Sequence, residues 1–459
     1  MDAAPTLEGP DGLLLAYYGD DFTGSTDVME AFTAAGVPTV LFLETPNAAM
    51  LAHFPGVRCV GLAGTSRGRS PAWMDAHLPQ AFSSLAALRP AILQYKVCST
   101  FDSSPTTGSI GRAIDIGVPL MPGAWSPMIV GVPRLQRYQA FGHLFAAVEG
   151  VPYRLDRHPT MSRHPVTPMA EADLRRHLSA QTARRSELVD LLQLRSGAAA
   201  DRVQALAGPQ VPVLSIDVMD DDSLQAAGRL VWQQRGAGLF SASSSGLQYA
   251  LTAHWRGEGL LPAQPGLPAV PAVPAIAVVS GSCSPGTAAQ IAWAASHGFA
   301  LHRLALPRLL HAQHGEAEID AAVSAAVQAL ARGQSPLVYS AAGPDDPAVR
   351  GFKAIAADAG LDRDEAARRI GRGLAEVMRR LLARQPLQRV VVAGGDSSGE
   401  VMGALDIAAL TVIGGLAPGA PLCRAWSTQA SRDRLEIVLK GGQMGAASFF
   451  GDVRDGMQA

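Results

Sequence analysis

Along this chain, short apolar runs end repeatedly in a loop of Gly, Ser, Thr or Asp and hand over to a helical stretch. LLLAYYGDD (13–21) leads into STDVMEAFTAAG, and AILQYKVCSTFDSS precedes GSIGRAIDIG. IAVVSGSCSPG runs into TAAQIAWAASHG, and RVVVAGGDSSG into EVMGALDI. TVLFLE, VRCVGLAGTSRG, PMIVGVP, VPVLSIDVMD, PLVYSAAG and EIVLKGGQMG add further runs of strand length. Apolar strands that alternate with helices predict a mostly parallel sheet covered on both faces. The expected class is α/β. At 459 residues the chain exceeds one ordinary core, so two α/β domains with mostly parallel sheets are expected.

The boundary is written in GEGLLPAQPGLPAVPAVPA (257–275), whose five prolines disfavour helix and interior strand. It reads as a semi-rigid linker between domains 1–256 and 276–459. The first helix is expected to start between Ser25 and Asp27 and to stop at Gly36. Residues 184–208 and 364–384 are Leu/Ala/Arg-rich without internal proline and predict two more helices.

A formal net charge of −2 supplies no electrostatic argument for nucleic acid or an anionic membrane. No apolar run approaches the ~20 residues of a membrane span. The N-terminus, MDAAPTLEGPDG, lacks the apolar core of a signal peptide. Four scattered cysteines form no CxxC pair, so a cytoplasmic location is expected. The same helical patterns admit a homodimer, because an interface helix and a core helix carry the same stripe. Positive charge is almost all arginine: only three lysines occur, Lys96, Lys353 and Lys440, and two of them lie in glycine- or serine-rich motifs.

Three loops of the second half follow strand-like runs. SGSCSPG offers Ser282 and Ser284 before a helix start; GGDSSG offers Gly394, Gly395 and Asp396; LKGGQMG offers Lys440, Gly441 and Gly442. Backbone N–H groups at such helix starts, joined by small hydroxyls, suit a phosphate. The loops lack G-x-x-x-x-G-K-[ST], a helix-opening G-x-G-x-x-G and the H-R-D and D-F-G elements, which excludes P-loop, dinucleotide-fold and protein-kinase sites. The first half carries different chemistry. Asp20 and Asp21 end its first strand, Arg67 follows another, and Lys96 and Asp102 flank a third loop. Carboxylates accept hydrogen bonds from hydroxyls, and a guanidinium fork suits a carboxylate, so these residues describe a pocket for a small hydroxylated acid. His158 and His164 stand at His-x5-His spacing without a cysteine or acidic partner, and are read as loop histidines beside His143.

These strings together resemble the four-carbon acid sugar kinases. GDDFTGSTD, KVCSTFDSSPTTGSIG, FGHLF with HPVTPM, SGSCSPGTAAQI, GGDSSG and LKGGQMG occur in the order and spacing of that family over nearly the whole chain. The resemblance implies an N-terminal domain binding the sugar acid, a C-terminal domain binding nucleotide, and an active-site cleft between them. It implies ATP-dependent phosphorylation of a terminal hydroxyl of a tetronate or 3-oxo-tetronate in carbohydrate catabolism, with Mg²⁺. A branched acid such as 3-oxo-isoapionate, or a non-catalytic sensor of sugar acids, is the alternative. Asp20, Asp21, Arg67, Lys96 and Asp102 fall on the sugar side, with Asp20 or Asp21 as base and Arg67 on the substrate carboxylate. Ser282, Ser284, Gly394, Gly395, Asp396, Lys440, Gly441 and Gly442 fall on the nucleotide side. The chain departs from the family pattern in GGDSS, where a threonine is usual before the second serine. It departs again in Lys-Gly-Gly-Gln-Met-Gly, where Lys-Ser-Gly-Asn-Phe-Gly is usual.

Overall fold

The computed structural model describes residues 12–457, apart from 149, 165, 262, 264 and 265. The chain divides into two compact units, Met1–Pro265 and Gly266–Ala459, each taken here by itself.

The first unit is built on β1 (Leu15–Gly19), β2 (Thr39–Phe42), β3 (Cys59–Ala63) and β4 (Ile92–Lys96). It continues with β5 (Ser126–Met128), β6 (Arg137–Ala140), β7 (His143–Val148), β8 (Val151–Arg154), β9 (Ser186–Val189), β10 (Val213–Ile216) and β11 (Leu239–Ser243). The order β11-β4-β1-β3-β2 is parallel throughout. Every residue of β1, β4 and β11 is buried, as strands covered on both faces require. A second parallel sheet, β5-β10-β9, is tied to β11 by Ser241 Oγ donating to Pro127 O (2.9 Å) and Ser126 Oγ to Phe240 O (2.8 Å). The third, β6-β7-β8, is antiparallel, and it corrects one loop histidine: His143 opens β7. Beyond β8, His158 is buried in a loop, with Nδ1 accepting the N–H of Thr160 (3.2 Å) and Met161 (3.1 Å).

Two helical expectations are corrected. The first helix is Phe22–Ala34, beginning three residues ahead of Ser25. Its cap is Asp21, extended at φ −140°, whose carboxylate accepts Gly24 N–H at 2.9 Å. Ser25 and Thr26 instead donate back to Asp21 O (2.7 Å) and Thr23 O (2.8 Å), so their hydroxyls are used inside the first turn. Residues 184–208 are not one helix. Ser186–Val189 is β9, hydrogen-bonded along β10, and helices Leu191–Ser196 and Ala199–Leu206 follow. Gly197 separates them at φ 80°, a backbone state that ends a helix. Arg363–Arg384, by contrast, is a single helix capped by Asp362. No helix among the described residues is long and apolar enough to cross a membrane.

The second unit uses β12 (Ala277–Ser280), β13 (Phe299–Arg303), β14 (Ser335–Tyr339), β15 (Arg389–Ala393), β16 (Ala409–Ala417), β17 (Ala420–Trp426) and β18 (Glu436–Lys440). Their order is β16-β17-β18-β15-β12-β14-β13, with β18, β15, β12, β14 and β13 parallel and the β16–β17 and β17–β18 pairs antiparallel. The later part of the proline-rich stretch is docked to this unit. Val270 exchanges both backbone hydrogen bonds with Met457, and Val273 N–H donates to Arg454 O. Val270, Val273 and Ile276 join the core of Val278, Val391, Val438 and Phe450.

Arg389 fastens this arrangement. It is fully buried, donates from Nε to Glu436 Oε2 (2.7 Å), and from Nη1 to Pro271 O (3.0 Å) and Val453 O (2.6 Å). One guanidinium thus joins β15, β18, the proline-rich strap and the C-terminal helix. Arg389→Ala would leave two carbonyls and a carboxylate without their donor, and should destabilise the protein by about 3–5 kcal/mol. Urea denaturation followed by tryptophan fluorescence reads this directly; a midpoint equal to that of the unaltered chain would show that the guanidinium is dispensable.

Candidate functional site

Parallel register puts the loops of interest at one level. In the first unit Gly19 is paired with Ala63 and with Lys96, and Lys96 with Ser243, so β3, β1, β4 and β11 end flush. The loops that leave these ends carry Asp20 and Asp21, Arg67, and Cys98 through Asp102. In the second unit Ser280 pairs with Ala393 and Ala393 with Lys440, so SGSCS, GGDSS and KGGQMG also leave from one level. A parallel sheet gathers its strand-to-helix loops on its carboxyl edge, where α/β proteins bind ligands.

On the first unit's edge, Arg67 grips both aspartates. Its Nε and Nη2 donate to Asp20 Oδ2 (3.1 Å) and Oδ1 (2.7 Å), while Nη1 and Nη2 donate to Asp21 Oδ2 (2.7 Å) and Oδ1 (2.8 Å). Four of the five N–H groups of this guanidinium are therefore committed. The two carboxylates differ in surroundings. Asp20 is 2% exposed and, among the described residues, its carboxylate accepts from Arg67 alone, whereas Asp21 is 25% exposed and also accepts from Thr23 Oγ1 (3.0 Å) and Gly24 N–H. Burial lifts the Asp20 carboxyl above its ordinary pKa; Arg67 acts in the opposite direction and Asp21 adds to the rise. Lys96 is buried next to them, 3.9 Å from Asp27 Oδ2. An added methyl on Gly24 would sit 2.3 Å from Asp21 Oδ1 and 3.1 Å from Lys96 Nζ, so glycine leaves room for this charge cluster.

Asp102 lies farther along the loop after β4. Phe101, buried and at φ 57°, turns the chain, and Ser103 Oγ donates to Phe101 O (3.0 Å) and meets His177 Nε2 (2.9 Å). Cys98 Sγ meets Thr100 Oγ1 (2.9 Å); burial raises its thiol pKa, Asp102 raises it further and Arg67 lowers it. Sequence reasoning missed Asp27, Cys98 and a rim built from the 133–137 turn. There the Arg134 guanidinium lies 5.0 Å from the Tyr249 ring centroid, and burial followed by the Asp27 charge raises the Tyr249 phenol pKa. Asp27 and Cys98 were visible as polar residues six positions after Asp21 and two after Lys96. Arg134 and Arg137 are far away in sequence and carried no signal.

The second unit brings its three loops together around Lys440. This residue is fully buried, and its Nζ donates to Thr287 Oγ1 (3.0 Å). Thr287 Oγ1 donates to Ser282 Oγ (2.9 Å), and Ser282 Oγ to Ser284 Oγ (3.3 Å). Ser284 caps helix Pro285–Ala294, accepting Thr287 N–H at 3.1 Å, and donates to Gly442 O. Thr287 was not singled out beforehand, although its place three residues after the cap marks it. Gly394 adopts φ 125°, and Ser398 Oγ donates to its carbonyl (2.8 Å) at the start of helix Gly395–Ala404. A methyl on Gly442 would lie 2.8 Å from Ser284 Cβ, so this position admits no side chain; Gly441 and Gly395 have space around them. The side chain of Asp396 lies outside the described residues. Among those described, no group of three or more His, Cys, Asp or Glu could hold a metal ion.

The edges are thus prepared differently. The first unit satisfies its cation with its own carboxylates and leaves carboxylate oxygen at the surface. The second keeps an ammonium among hydroxyls and helix N-termini, without a carboxylate partner among the described residues, which is the environment of an anion site.

Comparisons with known proteins follow the same division. Residues 15–251 match a sugar-binding N-terminal domain family, and residues 277–450 a nucleotide-binding C-terminal domain family. A 3-oxo-isoapionate kinase of Paraburkholderia graminis is 68% identical over 450 residues, covering 98% of this chain and 96% of that protein. A 3-oxo-tetronate kinase of Methylobacterium radiotolerans is 32% identical over 452 residues, covering 97% and 99%. A crystal structure of a Haemophilus influenzae protein superposes with a TM-score of 0.73 at 22% identity, over 96% of this chain and 99% of that one. It shares the two-domain α/β fold.

Burial lowers the Lys440 pKa to about 8. The unfolded chain, with an ordinary lysine pKa near 10.4, then holds a proton that the folded chain has released between pH 8 and roughly 10. This residue therefore adds a rising contribution to stability across that window, and below pH 8 its charge is a cost. Lys440→Met should raise Tm at pH 7 and flatten the pH dependence between 8 and 10, as read by differential scanning calorimetry. A lower Tm at pH 7 would mean that the ammonium is compensated.

Proposed function

The chain belongs to the four-carbon acid sugar kinase family, and from that premise we propose that it transfers the γ-phosphoryl group of ATP to a terminal hydroxyl of a sugar acid. The observation that carries the reading is Lys440. A buried ammonium that donates, among the described residues, to the hydroxyl of Thr287, at the starts of two helices, suits the phosphates of a nucleotide. Its counterpart is the Asp20–Asp21–Arg67 cluster, which suits a hydroxyl donor.

Phosphoryl transfer asks mainly for alignment and for charge neutralisation. Asp21, the more exposed carboxylate, orients the attacking hydroxyl and accepts its proton. Asp20 and Arg67 hold Asp21 in place from beneath. Lys96 keeps this carboxylate-rich corner close to neutral. On the nucleotide side Ser282, Ser284, Gly394, Gly395, Asp396, Gly441 and Gly442 surround the phosphates, and Lys440 balances their charge. Mg²⁺ held through nucleotide phosphates would take one or two protein oxygens, which the Ser282 and Ser284 hydroxyls would supply while Thr287 keeps the Lys440 ammonium. When bound it neutralises charge on the transferring group. For the sugar acid we propose 3-oxo-isoapionate, supported by the 68% identity to a kinase of that name against 32% for a 3-oxo-tetronate kinase.

ADP release measured over a panel of acid sugars should show the highest kcat/KM with 3-oxo-isoapionate. A preference for 3-oxo-tetronates would change the substrate, and turnover of no member would remove the kinase reading. Asp21→Asn keeps an acceptor for the helix cap, so it should retain stability while kcat falls by about 10²–10⁴. Near-wild-type kcat in this variant, with a large loss in Asp20→Asn, would exchange the roles of the two aspartates. KM for ATP should rise as pH passes about 8, where Lys440 loses its proton.

A further inference from the structure

The reading as a sugar-acid kinase leaves the substrate carboxylate without an obvious partner. Arg67 has spent four N–H groups on Asp20 and Asp21, and Lys96 is buried beside Asp27. Elsewhere on the same edge, two polar atoms are buried and unpaired. Asp102 Oδ1 accepts no hydrogen bond from the described residues, and Arg137 Nε donates none. A buried donor or acceptor left unpaired costs the folded chain the hydration it has given up. Two of opposite kind at a ligand-binding edge mark bonds that a ligand completes.

The backbone brings the two residues to one corner. Val97 N–H, ahead of the Asp102 loop, donates to Ser243 O (3.0 Å) at the end of β11. The next residue, Ser244, donates its N–H to Ile129 O (3.0 Å) and its Oγ to Val130 O (2.8 Å). From there Val132 exchanges both backbone hydrogen bonds with Arg137. Asp102 and Cys98 are both close enough to oppose the fall that burial causes in the Arg137 pKa. The Arg137 guanidinium is also oriented. Nη1 donates to Leu135 O (3.0 Å) and Gln136 O (3.2 Å), while Nε has no acceptor among the described residues. The Nε side is the one by which Arg67 grips Asp20, and it matches a carboxylate in two parallel bonds.

We propose that Arg137 receives the carboxylate of the sugar acid on its Nε side, and that Asp102 accepts a hydroxyl of the same molecule. The inference rests on the sugar-acid kinase reading and adds to it the residue that selects an acid over a neutral sugar.

The test compares the acid with its C1 amide, using wild type, Arg137→Ala and Arg137→Lys. In Arg137→Ala the KM for the acid should rise roughly 100-fold with KM for ATP within about twofold, because a hydrogen-bonded charge partner is lost. The preference for acid over amide should collapse toward unity. Arg137→Lys keeps the charge without the fork and should give an intermediate rise, which reads the proposal if the alanine variant fails to fold. A KM for the acid within about threefold of wild type in the variant that folds, or an equal loss on acid and amide, overturns it. If wild type turns over no acid sugar, the kinase reading fails, and calorimetric binding of the acid decides this inference separately. Binding to wild type but not to the folded variant sustains it; equal binding to both, or to neither, overturns it.

Discussion

The hydrogen-bond register of parallel strands is the constraint from which the rest follows. Parallel neighbours need a crossover segment between them, so every strand-to-helix loop leaves from the same edge. Gly19, Ala63, Lys96 and Ser243 end flush in one unit, and Ser280, Ala393 and Lys440 in the other. Ser284 and Gly442, 158 positions apart, become hydrogen-bond partners without any long-range side-chain design. The polar groups in those loops are then free to serve chemistry, because the buried strands beneath supply the packing.

The two edges handle charge in opposite ways. In the first, carboxylates and a guanidinium neutralise one another, which makes two adjacent aspartates tolerable beside a nearly dry strand end. One is kept buried; the other caps a helix and reaches solvent. In the second, the chain retains an ammonium that burial has already driven to about 8. Such a group is a cost to the folded chain until an anion arrives, and functional sites commonly carry costs of this kind. The scarcity of lysine fits this division, since Lys96 and Lys440 both stand at strand ends facing polar loops, where a compact ammonium fits and a guanidinium fork does not.

The sequence was legible where local rules and tertiary structure agree. Alternating apolar runs and glycine-rich loops marked the strands of both sheets, and the helix at Arg363–Arg384 followed from composition alone. Misreadings arose where local chemistry was ambiguous. Ser25 and Thr26 resemble caps, yet Asp21 outcompetes them because its carboxylate lies on the extended residue that precedes the helix. SELV within 184–208 looks helical beside its arginines, but backbone pairing with β10 makes it a strand. The antiparallel β6-β7-β8 sheet was hidden because its pairing joins a hairpin whose turn, Phe141-Gly142, carries positive φ at a phenylalanine, and the N–H groups of that turn are held by Asp217.

Taken by itself, the sequence determined the class of fold, the order of the loops and the aspartates, serines and glycines within them. These properties reside in periodicity and in short-range turn chemistry. Only the tertiary structure decided what each polar group has for a partner. That Arg67 is consumed by Asp20 and Asp21, that Thr287 stands between Lys440 and Ser282, and that Arg137 and Asp102 keep unpaired atoms are consequences of strand register. A partner 46 residues away, as for Arg67 and Asp21, or 153, as for Lys440 and Thr287, leaves no trace in the local pattern, because the energy that brings it near is the burial of strands rather than the attraction of the polar groups themselves.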